Sequence, residues 1–140
     1  MEKLLNDIYT AGFIDGEGTI TLTTKRLNSK FRIPVVSASS TTRSILEFLQ
    51  NNYGGHISKH KIYQEHHKQS WSWKINYNNA IFLLERIYPY LKEPEKRRRA
   101  KLIITDYKIV TPRNGKYTKS MEESKLQFEK EFFHPSNALP

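Results

Sequence analysis

Two carboxylates, Asp15 and Glu17, stand within the nonapeptide Thr10-Ala11-Gly12-Phe13-Ile14-Asp15-Gly16-Glu17-Gly18. An apolar helical run, Leu4-Leu5-Asn6-Asp7-Ile8-Tyr9, leads into it, and a threonine-rich strand leaves it. Acidic side chains set among small residues at a helix end can hold a hard divalent cation, whose chemistry is water activation and neutralisation of anionic charge. The plainer reading is a helix end with a glycine turn, its carboxylates merely capping or solvated. The two readings differ in what the rest of the chain must supply.

The elements that position this segment follow from periodicity. Leu4, Leu5, Ile8, Ala11, Gly12 and Phe13 recur as in a helix, and the glycines after Asp15 mark its stop. Its apolar residues cover more than one side, so one face suits its own core and another a second helix. Residues 18–25 alternate, with Ile20 and Leu22 opposite Thr19, Thr21, Thr23 and Lys25. A basic turn at 26–30 and a strand over 31–39 complete a hairpin. Thr41 or Thr42 caps a helix through Ile45, Leu46, Phe48 and Leu49, ended by Gly54-Gly55. A second hairpin pairs 56–61 with 70–77 across a polar loop at 63–69. Its alternation predicts Trp71 and Trp73 as core rather than base-stacking residues. Asn78 or Asn79 caps the next helix, which Pro89 ends. Further helices start at Pro94 and, through a capping box, at Ser120. Helix–strand–strand thus occurs twice without a sequence repeat. The fold class is α+β, an antiparallel sheet backed by helices with its other face polar.

The chain is one domain in size at 140 residues and has no cysteine, which excludes disulfides and thiolate metal centres. No apolar run reaches membrane-spanning length and Met1-Glu2-Lys3 does not open a signal peptide, so no membrane partner is expected. Lys and Arg number 23 against 14 Asp and Glu, a formal charge of +9. A domain this basic points to a polyanion, with nucleic acid foremost. The cations gather at 25–32, 59–74 and 92–101. Five histidines without cysteine favour surface or phosphate contacts over a metal site.

With these elements in place, the nonapeptide resembles the motif of LAGLIDADG homing endonucleases. It carries Ala11, Gly12, Asp15 and Gly18 of that motif, with Phe13, Ile14 and Glu17 in keeping and departures at Thr10 and Gly16. The element order is similar to that family's αββαββα core. Residues 36–47 and the Tyr88-Pro89-Tyr90-Leu91-Lys92 stretch are similar to its later landmarks. The resemblance covers about residues 4–108 of a single domain spanning 1–140, with a C-terminal helical extension over 112–140.

The resemblance implies a site-specific, double-strand DNA endonuclease of homing type, a phosphodiester hydrolase using Mg2+, with Mn2+ or Ca2+ able to occupy the site. Only one copy of the motif is present, and single-motif members act as homodimers on pseudo-palindromic DNA. Their motif helices pack together, which assigns Ile8, Ala11, Gly12 and Asp15 to the dimer interface. Glu17 becomes the metal ligand, with the Gly16 carbonyl as a second contributor. Asp15 is read as mainly structural at the helix end. Helper residues fall at Ser39 or Ser40 and at Lys96 or Arg97, with Ser39 and Lys96 taken as the catalytic candidates beside Glu17. DNA contacts are expected from Thr21, Thr23, Lys25, Arg26, Lys30 and Arg32 on the first hairpin. On the second they are expected from Ser58, His60, Lys61, Ser72 and Lys74. For Lys96–Lys101 the competing reading is a solvated helix face. A non-cleaving protein of the same fold, either an intron-RNA maturase or a DNA-binding regulator, stays open as the alternative, though no residue pattern indicates RNA. The expected location is intracellular, either the cytoplasm or an organelle interior.

Overall fold

In the computed structural model, which describes residues 1–62 and 64–136, the nonapeptide completes a helix, which runs through Gly16 to Glu17. Helix α1 spans Glu2–Glu17 and includes both carboxylates. It ends at Gly18, whose backbone is already extended and whose N–H bonds the Ile14 carbonyl. A Cβ at Gly18 would lie 2.7 Å from the Ile14 Cδ1 and 2.9 Å from its Cα, so only glycine fits where the helix turns into a strand.

Strands β1 (Gly18–Thr24) and β2 (Arg32–Ser40) form the first hairpin, followed by α2 (Arg43–Tyr53). Strands β3 (His56–Lys59) and β4 (Trp71–Asn76) form the second, followed by α3 (Tyr77–Ile87). A 3-10 turn at Tyr88–Tyr90 leads to α4 (Pro94–Leu102), which continues as a π turn over Ile103–Tyr107. Helix α5 occupies Lys119–Phe133. The four strands make one antiparallel sheet in the order β1-β2-β4-β3.

Several boundaries differ from the sequence reading. Strand β3 stops at Lys59, leaving His60 and Lys61 in the following loop. Tyr63, assigned to that loop, and residues 137–140, assigned to the helical extension, lie outside the described residues. Asn76 rather than Asn78 or Asn79 precedes α3, and no side-chain bond caps it. Thr118, not Ser120, caps α5, its hydroxyl accepting the Met121 N–H at 3.2 Å.

Register divides the sheet into two faces, because side chains alternate along each strand. Ile20, Val36 and Ile75 align across one face, and Ala38, Trp73 and Ile57 across the next row. The helices bury this face together with Ile14, Leu46, Leu49, Leu84, Ile87 and Leu91. Trp73 is wholly buried and donates to the Gly54 carbonyl at 2.9 Å. Gly55, at φ +98°, allows that approach, since a Cβ there would meet the Trp73 ring nitrogen at 2.6 Å. Asp7 joins three helices: the Tyr53 hydroxyl donates to it at 2.8 Å and Arg86 pairs with it at 2.8 Å. Burial, with Asp7 alongside, pushes the Tyr53 hydroxyl up to about 12. Among the described residues no helix is long and apolar enough to cross a membrane.

Candidate nucleic-acid interface and metal-binding carboxylate

The second sheet face is polar and carries most of the proposed contacts. Its rows read Thr19–Ser37–Lys74–His56, Ser39–Ser72–Ser58, and Thr21–Val35–Asn76, with Thr23 opposite Ile33. The β1–β2 register begins with Gly18 opposite Ala38, so Glu17, the last residue of α1, stands immediately before the sheet. Thr19 and Asn76, set outward by alternation though not assigned as contacts, belong to this face, and so do Ser37 and His56, which the sequence reading did not single out. Cross-strand pairing supplies their neighbours, 41 positions away for Asn76 and Val35.

The two acids of the motif have separate fates. Asp15 turns inward: its carboxylate accepts the backbone N–H of Lys92 at 2.7 Å and of Glu93 at 3.2 Å. Glu17 is exposed and takes no hydrogen bond or ion pair among the described residues. The Lys96 ammonium caps the end of α1, donating to the carbonyls of Ile14 at 2.9 Å and Asp15 at 2.7 Å. A cation is favoured there, since the last carbonyls of a helix lack partners and carry its negative dipole end. The Gly16 carbonyl is the next along.

The open choices between neighbours are resolved by contacts. Ser40 is used locally, its hydroxyl accepting the Thr42 N–H at 2.9 Å, whereas Ser39 is exposed on the polar face. Arg97 turns away from the motif, donating to the carbonyls of Tyr88 and Leu91 at 3.1 and 3.0 Å. Arg98 is held by Glu95 at 2.7 Å and donates to the Phe132 carbonyl at 2.7 Å. That pairing keeps the Glu95 carboxyl below its ordinary range. Arg99 donates to the Ile20 carbonyl at 3.0 Å and covers the open edge of β1. The stretch 96–99 is thus neither a solvated face nor a free basic patch. It fastens α4 to its surroundings.

Two assigned residues require correction. Arg32 is not an outward contact: paired in register with Thr24 on the helix-covered face, it meets Glu129 of α5 at 2.8 Å, and its own N–H bonds the same carboxylate at 2.9 Å. Ala11 is not on an available surface: it is 0 % exposed inside the protomer's own core. Lys30 pairs with Glu122 of α5 at 3.0 Å, yet both side chains remain substantially exposed. Such a surface pair is weak. His60 lies in the loop with its ring nitrogen 2.8 Å from the Ser70 hydroxyl. Lys25, Arg26 and Lys61 are exposed.

On the outer side of α1, Leu5 is 57 % and Ile8 43 % exposed. Gly12 and Gly16 share that exposure, and a Cβ at either would meet nothing within 4 Å. Unlike Gly18, neither is required by the protomer. Each costs the helix about 0.5–1 kcal/mol relative to alanine.

No group of three His, Cys, Asp or Glu side chains is placed to hold a metal ion among the described residues. One chain thus offers Glu17 and the adjacent backbone carbonyl, an all-oxygen and incomplete donor set. Such donors suit Mg2+ or Ca2+, which take oxygen ligands and retain water.

Comparison with known proteins bears on the fold and the family. The sequence profile of the family described as LAGLIDADG endonuclease matches residues 10–111. No curated protein sequence is significantly similar. The fold is similar to the homing endonuclease I-CvuI, solved in complex with its target in the presence of Ca, at TM-score 0.66 and 17 % identity, covering 99 % of this chain and 86 % of that one. It is similar to the homing endonuclease I-TnaI at TM-score 0.60 and 20 % identity, covering 89 % and 86 %. It is also similar to the LAGLIDADG homing endonuclease I-GzeII in complex with its DNA target, at TM-score 0.64 and 16 % identity, covering 90 % of this chain and 43 % of that one. With the motif helix, the paired hairpins and this profile match in agreement, the chain belongs to the LAGLIDADG endonuclease family.

Proposed function

We propose that the protein is a homodimeric, divalent-metal-dependent endonuclease that cuts double-stranded DNA at a long pseudo-palindromic site. The observation that carries this reading is Glu17, an exposed carboxylate without a partner among the described residues, at the end of α1 where the chain enters the polar-faced sheet. The profile match and the DNA complexes of structurally similar proteins support it.

Glu17 and the Gly16 carbonyl would hold the ion, and Mg2+ suits them best. A divalent cation supplies water activation and neutralisation of phosphoryl charge when bound beside a scissile phosphate. Lys96 is a positioning residue, because its ammonium is spent on the end of α1. Ser39 is exposed on the polar face and can hydrogen-bond a water or phosphate oxygen. Thr19, Thr21, Thr23, Ser37, Ser58, Ser72, Lys74 and Asn76 present donors and acceptors to base edges, as a β platform in the major groove requires. The incomplete donor set and the outer stripe of α1 both support a dimer. Leu5, Ile8, Gly12 and Gly16 would let two motif helices approach closely and bring two Glu17 side chains together. A twofold protein then reads a twofold site.

The test is incubation with a randomised DNA-site library and Mg2+, followed by sequencing of cut ends. Discrete double-strand cuts by the native protein are expected, with Glu17→Gln retaining binding and losing cleavage. Full cleavage by Glu17→Gln would sink the assignment, and sequence-specific binding without any cutting would leave a non-cleaving DNA-binding protein.

A further inference from the structure

The turn that joins β1 to β2 stands at the far end of β1 from Glu17. The seven residues of β1 separate the two, a span of about 23 Å at the usual strand rise. Duplex DNA advances about 3.4 Å per base pair, so the turn lies about seven base pairs from a phosphate beside Glu17. Lys25, Arg26 and Lys30 are exposed there, and Leu27 at the tip is fully exposed. The Arg26 N–H bonds the Ser29 hydroxyl at 3.1 Å, and the Ser29 N–H bonds the Arg26 carbonyl at 3.0 Å. These bonds close the turn on itself without joining it to the rest of the protein.

Three consecutive residues where the turn returns to β2 do make that connection, each with a partner in the C-terminal part of the chain. Lys30 pairs with Glu122 at 3.0 Å. The Phe31 ring lies against Tyr117, with ring centres 4.6 Å apart and planes tilted by 41°. Arg32 is held twice by Glu129, through its N–H and its guanidinium, which also lies 5.1 Å from the centre of the Phe133 ring. The contacts differ in strength. Lys30 and Glu122 form an exposed and therefore weak pair, so a phosphate can take the place of Glu122. Glu129 is 6 % exposed and faces two cations, Arg32 and the buried Lys125. Removing one member of such a group leaves an uncompensated buried charge, which fixes it in place.

Helix α5 is itself anchored. Phe128 and Phe132 are buried in the core, and Arg98 of α4 donates to the carbonyls of Glu131 and Phe132 at 3.2 and 2.7 Å. The turn is thus tied through α5 to the same helix that Lys96 fastens to the end of α1. All of these partners of residues 30–32 lie beyond residue 111, where the match to the family profile ends.

We propose that α5 and the segment before it brace the β1–β2 turn, with Glu129 and Tyr117 acting through Arg32 and Phe31 to set discrimination at the outer base pairs of each half-site. This role rests on the DNA-binding reading and names the positioning residues behind one part of its specificity. A braced turn presents its side chains in one geometry, and base recognition depends on hydrogen-bond distance and angle. A turn freed from α5 would pay an ordering cost on every sequence, and its long cations would reach alternative acceptors on a mismatched one.

The experiment compares the native protein with Tyr117→Ala, Glu129→Gln and Tyr117→Phe, which keeps the ring. Hydrogen–deuterium exchange is measured over residues 25–32 in the DNA-free protein. Affinity is measured for a target selected from randomised DNA and for each single base-pair substitution across its half-site. Exchange should quicken by about threefold or more in Tyr117→Ala and Glu129→Gln and stay native in Tyr117→Phe. A mismatch ordinarily costs about tenfold or more, and that penalty should fall to about threefold in both variants at pairs about seven from the cut. Pairs near the cut, and the cleavage rate of bound target, should be unchanged. Native exchange in both variants overturns the brace. Faster exchange with an unchanged base-pair profile, or with a loss spread evenly along the half-site as a merely loosened fold would give, overturns its role in specificity. These outcomes leave DNA binding standing, whereas an absence of sequence-specific duplex binding by the native protein overturns the DNA reading itself. Tyr117 is only partly buried, so its variant decides the matter even where Glu129→Gln, which alters a buried charge, fails to fold.

Discussion

Asp15 and Lys96 clasp the junction of α1 and α4 from opposite directions. The Asp15 carboxylate holds the Lys92 and Glu93 amides just before α4, while the Lys96 ammonium reaches back to the Asp15 carbonyl at 2.7 Å. Each group satisfies an end of the other's element: the carboxylate takes backbone donors, and the ammonium takes the carbonyls of Ile14 and Asp15 at the helix terminus. The clasp holds the end of α1, where Glu17 directly precedes β1. One acid of the motif thereby fixes the frame, and the other remains free for a ligand.

This division predicts opposite stability effects for two similar substitutions. Asp15→Asn weakens two charge-assisted bonds and is expected to cost about 2 kcal/mol, within the usual range for bonds to charged groups. Glu17→Gln touches no partner and should stay within about 0.5 kcal/mol of the native value. Denaturant unfolding of both variants measures the contrast. Equal losses would mean that Glu17 has a structural partner after all.

Gly12 offers a test of assembly that spares the protomer. Its position is open, so Gly12→Leu leaves the fold intact and adds helix propensity, while filling the space a second helix would occupy. Sedimentation velocity should show the native protein as a dimer and the variant as a folded monomer. A dimer that survives the substitution would place the interface elsewhere.

Lys125 and Tyr53 shape the dependence of stability on pH in opposite senses. Burial pulls Lys125 down to about 8 from an unfolded value of 10.5, so between these limits the unfolded chain holds the extra proton and stability rises with pH. Burial pushes Tyr53 up to about 12 from 10.0, so above about 10 the unfolded chain loses its proton first and stability falls. The combined contribution of these two groups therefore peaks near pH 10. In Lys125→Met the rising limb is removed, and the difference in unfolding free energy from the native protein should change steadily between pH 8 and 10. Parallel curves for the two proteins over that interval would show that the Lys125 site carries no such proton linkage.

Much of the frame was legible because periodicity and glycine placement are local properties. The alternation of Trp71, Trp73 and Ile75 with Ser72 and Lys74 located the inner and outer faces of β4, and the inner Trp73 is fully buried. The motif marked the helix end and separated Asp15 from Glu17. Local signals failed where several residues could serve equally. Thr118 caps α5 in place of Ser120, since either hydroxyl suits the role and packing chooses the start. Arg32 sits in an alternating strand with the same charge as a DNA contact. Its place in the row of Val36 and Ala38 turns it inward, and Glu129, 97 residues away, supplies the partner that local sequence does not show.

By itself the sequence determined the order of elements, the polar and apolar alternation of the strands, the excess of positive charge and the lone motif with its two acids. These depend on neighbouring residues and their spacing. The tertiary structure decided which cations are spent inside the protomer and which stay free. It also decided that Asp15 fastens α4, that Ser40 is used locally while Ser39 stays exposed, and that Gly12 is open while Ala11 is buried. Each of these outcomes depends on segments distant in sequence becoming neighbours. Burial and competition for partners then assign different work to chemically similar side chains.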